Sequence, residues 1–95
     1  MKNILTALAV AALLLPVGQT ASASESLAKS AGCLNCHAVD SKKVGPSLKD
    51  IAAKYKGQKD AEATLDAKIT SGKGHPATKA SADDVKTIVK WILSM

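Results

Sequence analysis

The sequence contains one pentapeptide, Cys33-Leu34-Asn35-Cys36-His37, that limits the possible folds of the chain more than any other feature. In a C-x-x-C-H pattern, two thiols have the spacing that captures both vinyl groups of one haem, and the adjoining histidine can bind the iron. A haem attached there would make a small chain into a one-electron carrier, because the cofactor supplies the redox chemistry. The motif therefore favours a covalent haem c.

Two other kinds of site remain open for these cysteines. A disulfide or dithiol pair is possible in an exported protein, but thioredoxin-like sites follow a strand in a βαβ pattern, and no strand is predicted here. A zinc site would use Cys33, Cys36, His37 and His75. However, Cys36 and His37 are adjacent, and the helical pattern of the chain lacks zinc-finger spacing.

Residues 1–23 have the order of a secretory signal peptide. A charged start and an apolar run from Ile4 to Val17 precede Ala21-Ser22-Ala23, which has small residues where a signal peptidase cleaves. A membrane anchor would need about 20 apolar residues, whereas this run is shorter and contains Pro16. We therefore expect cleavage after Ala23, with residues 24–95 exported to the periplasm as one domain without a membrane anchor.

A domain of residues 24–95 is short, and domains of this size have thin cores that usually need a metal, a disulfide or another cross-link. Tyr55 and Trp91 are its two aromatic residues. A buried porphyrin would supply the missing apolar bulk. The composition of the domain therefore agrees with the motif.

The charge of the predicted domain is modestly positive. Every basic residue is a lysine, and residues 24–95 carry twelve lysines against eight acidic residues, a formal charge of +4. This balance predicts transient docking to acidic surfaces of redox partner proteins. It does not indicate nucleic-acid binding, because arginine is absent and stacking aromatic residues are scarce. The lysines expected on this docking surface are Lys42, Lys43, Lys49, Lys54, Lys56 and Lys59.

Four segments carry helical spacing of apolar residues, and none carries the alternation of a strand, so the predicted fold class is all-α. The first predicted helix runs from Glu25 to Ala31 after a cap at Ser24 or Ser26, and the second carries the apolar stripe Leu48, Ile51, Ala52 and Tyr55 and ends at Gly57. The third lies between an N-cap at Asp60 and a C-cap at Gly72, and the last follows a cap at Ser81.

The ends of two predicted helices have specific signals. Pro46 can occupy the first helical position of the second helix. Ser81 with Asp84 resembles a capping box for the last helix. The inward stripe of that last helix is Val85, Ile88, Val89 and Ile92.

In order, the short helix, CLNCH, VGPSL and a final helix reading DDVKTIVKWILS resemble the small class I bacterial cytochromes c over residues 24–95. The resemblance implies about four short helices around one haem c, with crossed terminal helices. It implies thioether bonds from Cys33 and Cys36 and His37 as the proximal iron ligand. In that family the carbonyl of the proline in the Gly-Pro turn accepts a hydrogen bond from the proximal imidazole, a role that falls to Pro46.

The loop before the last helix departs from the family pattern. Members usually carry a methionine followed by proline there, whereas this loop has His75 followed by Pro76, six residues before the Ser81 cap. Gly72 and Gly74 permit a sharp turn, and Pro76 favours an extended backbone at His75. We therefore predict His75 as the distal iron ligand.

Three other distal arrangements remain open. The iron could be open or water-bound, since the loop looks shortened. Lys79 could bind only after losing its proton, and Met95 lies at the chain end, where fraying makes a poor ligand. Trp91, near the inward stripe of the last helix, is expected to pack against the haem or the first helix, with a hydrogen bond from its indole N–H as the alternative.

The leading functional hypothesis is a soluble, monomeric electron carrier of the periplasm that is not an enzyme. Two axial imidazoles predict a lower reduction potential than that of His/Met relatives. The alternative is a haem protein whose open distal site binds a gas or another small ligand. A peroxidase is less well supported, since no acid/base pair accompanies His75. A third possibility is an exported structural or zinc-binding module without haem.

Overall fold

The computed structural model describes residues 17–95, and within that range the fold is all-α and contains no strand. This result confirms the predicted fold class. The helices are α1 (Val17–Ser30), α2 (Leu48–Tyr55), α3 (Ala61–Ser71) and α4 (Ala82–Leu93). A short 3-10 turn, Cys33–Asn35, follows α1. Residues 72–80, here called the distal loop, connect α3 to α4.

Helix α4 is the centre of the core and packs against α1, α2 and α3. Its four predicted inward residues are all buried. Ile88 and Ile92 join Ala28 and Leu48 in one apolar cluster. A second cluster contains Leu65, Val85 and Val89. The predicted stripe is therefore confirmed. One cluster joins α4 to α1 and α2, and the other joins α4 to α3.

Serine side chains begin α2 and α4. Ser47 Oγ accepts a hydrogen bond from the Asp50 N–H at 3.0 Å, and Ser81 Oγ accepts one from the Asp84 N–H at 3.2 Å. Each bond satisfies an N–H group that has no partner within its own helix. Pro46 does not take the predicted first helical position, because Ser47 is the cap and α2 begins at Leu48.

In the uncleaved chain, the first helix starts earlier than predicted. Helix α1 begins at Val17, before the predicted Glu25, and Ser24 is a buried residue inside it. With residues 17–23 already helical, the Ser24 N–H has a carbonyl four residues earlier, so no cap is needed there. Residues 1–16, most of the predicted signal peptide, lie outside the described part of the chain.

Between residues 17 and 95, no helix combines the length and the apolar character needed to cross a membrane.

Replacing Ser81 by alanine is expected to lower the free energy of unfolding by about 1 kcal/mol, because the first turn of α4 loses its cap. Urea denaturation of the haem-loaded protein measures this change. Ser41→Ala, at an exposed site between the motif and α2, serves as the matched control and should shift stability by less than about 0.5 kcal/mol. Equal losses in the two variants would contradict the assigned cap.

Candidate haem site

A cavity of about 390 Å³ lies beside the C-x-x-C-H segment. Its volume falls within the range of about 300–1,000 Å³ typical of sites for cofactors and other small ligands. Both predicted attachment cysteines and both histidines line it. The apolar side chains of its wall are Leu48, Ile51, Leu65, Ile69, Ile88, Val89 and Ile92.

The two cysteines lie on and directly after the 3-10 turn. Gly32 precedes the turn with φ +85°, a left-handed conformation that glycine adopts without strain. The N–H groups of Cys36 and His37 then both donate to the Cys33 carbonyl, at 3.3 and 3.0 Å. This tight turn directs both thiols and the following imidazole to the same cavity.

Both thiols are free and half-buried. Burial raises the pKa of the Cys33 thiol, and a backbone hydrogen bond opposes that rise more weakly. The Cys33 sulfur is therefore held as a neutral thiol at pH 7. Cys33 packs against the apolar cluster of Ala28, Leu48, Ile88 and Ile92.

The His37 ring is fixed by the segment that leads into α2. Its Nδ1 lies 2.7 Å from the carbonyl oxygen of Pro46, so the Nδ1–H donates and Nε2 keeps its lone pair. Two backbone bonds hold this segment beside the motif: Gly45 N–H donates to the Cys36 carbonyl at 2.7 Å, and Leu48 N–H donates to the Ala38 carbonyl at 2.9 Å. The imidazole is therefore oriented as a metal ligand requires.

Gly45 allows the backbone to pack directly against the His37 ring. A Cβ atom at this position would lie 2.5 Å from Cε1 and 2.8 Å from Nδ1 of that ring, closer than atoms can approach. The sequence pattern marked Gly45 as part of a Gly-Pro turn but did not reveal this contact. A Gly-Pro pair soon after C-x-x-C-H is the signal that could have drawn attention to it.

His75 lies across the cavity from His37. The ring centroids are 6.0 Å apart and the ring planes differ by 4°. Two imidazoles that share one metal ion, with metal–nitrogen bonds of about 2 Å and about 1 Å from each nitrogen to its centroid, have centroids about 6 Å apart, so the separation of these rings leaves room for such an ion. His75 Nδ1 also lies 2.7 Å from a carbonyl oxygen, that of Pro76, which leaves its Nε2 available.

The other residues considered for the site lie elsewhere. Trp91 packs against the cluster of Ala28, Leu48, Ile88 and Ile92 and is not among the residues that line the cavity. Its contact with a bound haem stays a prediction. Lys79 and Met95 are exposed, and neither lines the cavity.

The residues present fit a haem better than a metal ion alone. Within residues 17–95, no group of three or more His, Cys, Asp and Glu side chains is arranged to hold a metal ion, so the Cys₂His₂ zinc alternative is not assembled. Lys54 and Lys68 are the charged side chains among those that line the cavity. The described part of the chain thus offers two thiols, two imidazoles and an apolar wall, the donor set that a covalent haem requires.

Known proteins resemble this chain over most of its length. The family model described as "Cytochrome c" matches residues 21–95. Cytochrome c-551 of Pseudomonas aeruginosa is 43% identical over 88 residues, covering 85% of each chain. Cytochrome c-552 of Nitrosomonas europaea is 41% identical over 93 residues, covering 90% of each.

Solved structures have the same fold. The class 1 cytochrome MtoD from Sideroxydans lithotrophicus ES-1 superposes with a TM-score of 0.70 at 42% identity, covering 77% of this chain and 92% of its own. Wild-type cytochrome c552 of Nitrosomonas europaea gives a TM-score of 0.66 at 40% identity, covering 74% of this chain and 96% of its own. The two cysteines of the C-x-x-C-H turn fit the covalent haem c of such proteins. The chain therefore belongs to the cytochrome c family, as a small class I monohaem cytochrome c.

Proposed function

We propose that this chain is a soluble periplasmic electron carrier whose haem c is attached to Cys33 and Cys36 and ligated by His37 and His75. When bound, the haem supplies one-electron chemistry at its iron. The observation that carries the proposal is the pair of parallel imidazoles with centroids 6.0 Å apart across the cavity. Relatives named cytochrome c-551, c-552 and c2 support electron transfer as the function.

His37 acts as the proximal ligand in this proposal. Its Nδ1–H donates to the Pro46 carbonyl, which fixes the tautomer and raises the basicity of Nε2. Gly45 packs against the ring and limits its rotation. Pro46 therefore contributes to haem binding by orienting His37.

His75 acts as the distal ligand. The same kind of bond, from Nδ1–H to the Pro76 carbonyl, makes Nε2 the nitrogen that carries the lone pair in the neutral ring. Two nitrogen donors favour a six-coordinate, low-spin iron in both oxidation states, so electron transfer requires little rearrangement of this chain. Imidazole in place of a thioether removes a ligand that raises the potential, so we expect a lower reduction potential than in His/Met relatives.

Partner docking is assigned to lysines on the exposed surface. The six predicted lysines between positions 42 and 59 are all exposed. Lys49 pairs with Asp40 at 2.5 Å, and Lys43 Nζ donates to the Leu34 carbonyl at 3.2 Å, beside the haem motif. Exposed ammonium groups steer an acidic partner and are screened by salt, which suits transient contacts between monomeric carriers. No substrate bond is made or broken, so the proposed protein is not an enzyme.

Export places the carrier in the periplasm. The proposal keeps the predicted cleavage after Ala23, which leaves residues 24–95 as the functional domain. After this cleavage, α1 keeps the part of Val17–Ser30 that runs from Ser24 onward. This part includes the buried Ala28, which packs against α4.

The variants His75→Ala and His75→Met test the distal ligand. We expect the ferric wild-type protein to be low-spin without a methionine–iron charge-transfer band, and His75→Ala to gain a high-spin electron paramagnetic resonance signal. In His75→Met the reduction potential should rise by on the order of 0.1 V, within the range of about 0.8 V that axial ligands cover.

Lys79→Ala is the control for that test, because Lys79 is exposed in the same loop and does not line the cavity. Its spectrum and potential should match those of the wild type. A wild-type spectrum that stays unchanged in His75→Ala, or that is high-spin from the outset, would refute ligation by His75.

Gly45→Ala tests the orientation of His37. The added methyl group has no space beside the ring, so we expect weaker His37 ligation, a larger high-spin fraction and a loss of about 1–3 kcal/mol of stability. Absorption and electron paramagnetic resonance spectra of the purified haem protein measure the first two effects.

The matched control is Gly57→Ala. Gly57 has φ +81° but no atom near its added Cβ, so this change introduces backbone strain away from the haem site. Gly57→Ala should lose stability with an unaltered haem spectrum. An unaltered spectrum in Gly45→Ala as well would show that the glycine does not control His37.

A further inference from the structure

The distal loop is weakly bonded to the rest of the protein. Within residues 17–95, no backbone-to-backbone hydrogen bond joins residues 72–80 to another element. The His75 side chain bonds to the next residue of the same loop, and the Lys73 N–H bonds only to the nearby Ser71 hydroxyl. Contacts other than backbone-to-backbone hydrogen bonds must therefore hold His75 near His37.

The Thr78 hydroxyl forms a long-range hydrogen bond that joins this loop to the end of α1. It donates to the Ala31 carbonyl at 3.1 Å, across 47 positions of sequence, and accepts the Ala80 N–H at 3.2 Å. Ala31 directly follows α1, where the last carbonyls of a helix lack donors within the helix. Both Thr78 and Ala31 are half-buried, so this bond satisfies groups that have limited access to water.

The two ends of this hydrogen bond belong to opposite sides of the site. Ala31 lies two residues before Cys33, and Thr78 lies three residues after His75. Both Ala31 and Thr78 also line the cavity. The hydroxyl thus connects the segment that attaches the haem to the segment that carries the distal imidazole.

We propose that Thr78 is a positioning residue for the distal ligand: its hydroxyl holds the distal loop against Ala31 and thereby keeps His75 opposite His37. This inference rests on the proposed ligation by His75. Without the hydroxyl, the loop loses its hydrogen bond to the end of α1 and gains conformational freedom. The Ala31 carbonyl and the Ala80 N–H would also lose their partner. His75 would then leave the iron more often.

The test uses Thr78→Val, which removes the hydroxyl and keeps the shape of the side chain, with Thr78→Ser as the matched variant that keeps the hydroxyl. At saturating carbon monoxide, binding to the reduced haem protein is limited by dissociation of His75. We expect Thr78→Val to bind about threefold to tenfold faster than the wild type, and Thr78→Ser to bind at nearly the wild-type rate. A Thr78→Val rate equal to the wild-type rate would overturn the proposal.

His75→Ala separates this proposal from the proposed function. If carbon monoxide binds rapidly to His75→Ala but slowly to both the wild type and Thr78→Val, His75 remains the iron ligand and the proposed role of Thr78 is wrong. Equally rapid binding in the wild type and His75→Ala would instead remove the ligation itself.

A second measurement needs no variant, in case Thr78→Val does not fold. Amide hydrogen exchange of the haem-loaded wild type should show the Ala80 N–H, which donates to Thr78 Oγ1, exchanging at least about tenfold more slowly than the exposed Lys79 N–H beside it. Equal exchange rates at the two amides would contradict the orientation of the Thr78 hydroxyl from which its bond to Ala31 follows.

Discussion

The apolar faces of α2, α3 and α4 border a cavity of about 390 Å³. The packing of the rest of the fold depends on how that cavity is filled. Protein interiors are normally packed as densely as organic crystals, with few voids larger than a water molecule. A short chain with two aromatic residues cannot fill such a space with its own side chains. In a class I cytochrome c the haem occupies that position, so the group that carries the electron also completes the core.

The backbone prepares both imidazoles in the same way. The Pro46 and Pro76 carbonyls each accept a hydrogen bond from an Nδ1–H, at 2.7 Å in both cases, although one proline lies nine residues after its histidine and the other is its neighbour. In each neutral ring, Nε2 is then the nitrogen that carries the lone pair. His37 is held by a bonded turn, whereas His75 sits on a loop that, within residues 17–95, has one long-range hydrogen bond, from Thr78 to Ala31. This difference makes the distal side the adjustable part of the site.

Local signals in the sequence were sufficient for most of the fold. The stripe of α4, its Ser81 cap and the all-α class follow from periodicity and capping, because these depend on residues a few positions apart. The resemblance carried by the C-x-x-C-H and Gly-Pro motifs was sufficient to propose Cys33, Cys36, His37 and Pro46.

Features set by distant contacts could not be predicted. The Thr78–Ala31 bond joins positions 47 apart, and the Gly45 contact depends on the final orientation of an imidazole ring. Ser24 has the chemistry of a cap, but in the uncleaved chain it lies inside a longer helix, so α1 starts earlier than predicted. Trp91 was expected to pack against the haem or the first helix because it flanks the inward stripe, and it packs against the cluster that includes Ala28 of α1.

Iron X-ray absorption spectroscopy of the purified ferric haem protein tests the central claim most directly. Two axial imidazoles on a porphyrin predict six nitrogen donors at about 2 Å, with outer-shell scattering from two imidazole rings. A sulfur donor in the first shell, or a five-coordinate or water-bound iron with scattering from one imidazole ring, would contradict the assignment of His37 and His75 as the axial pair.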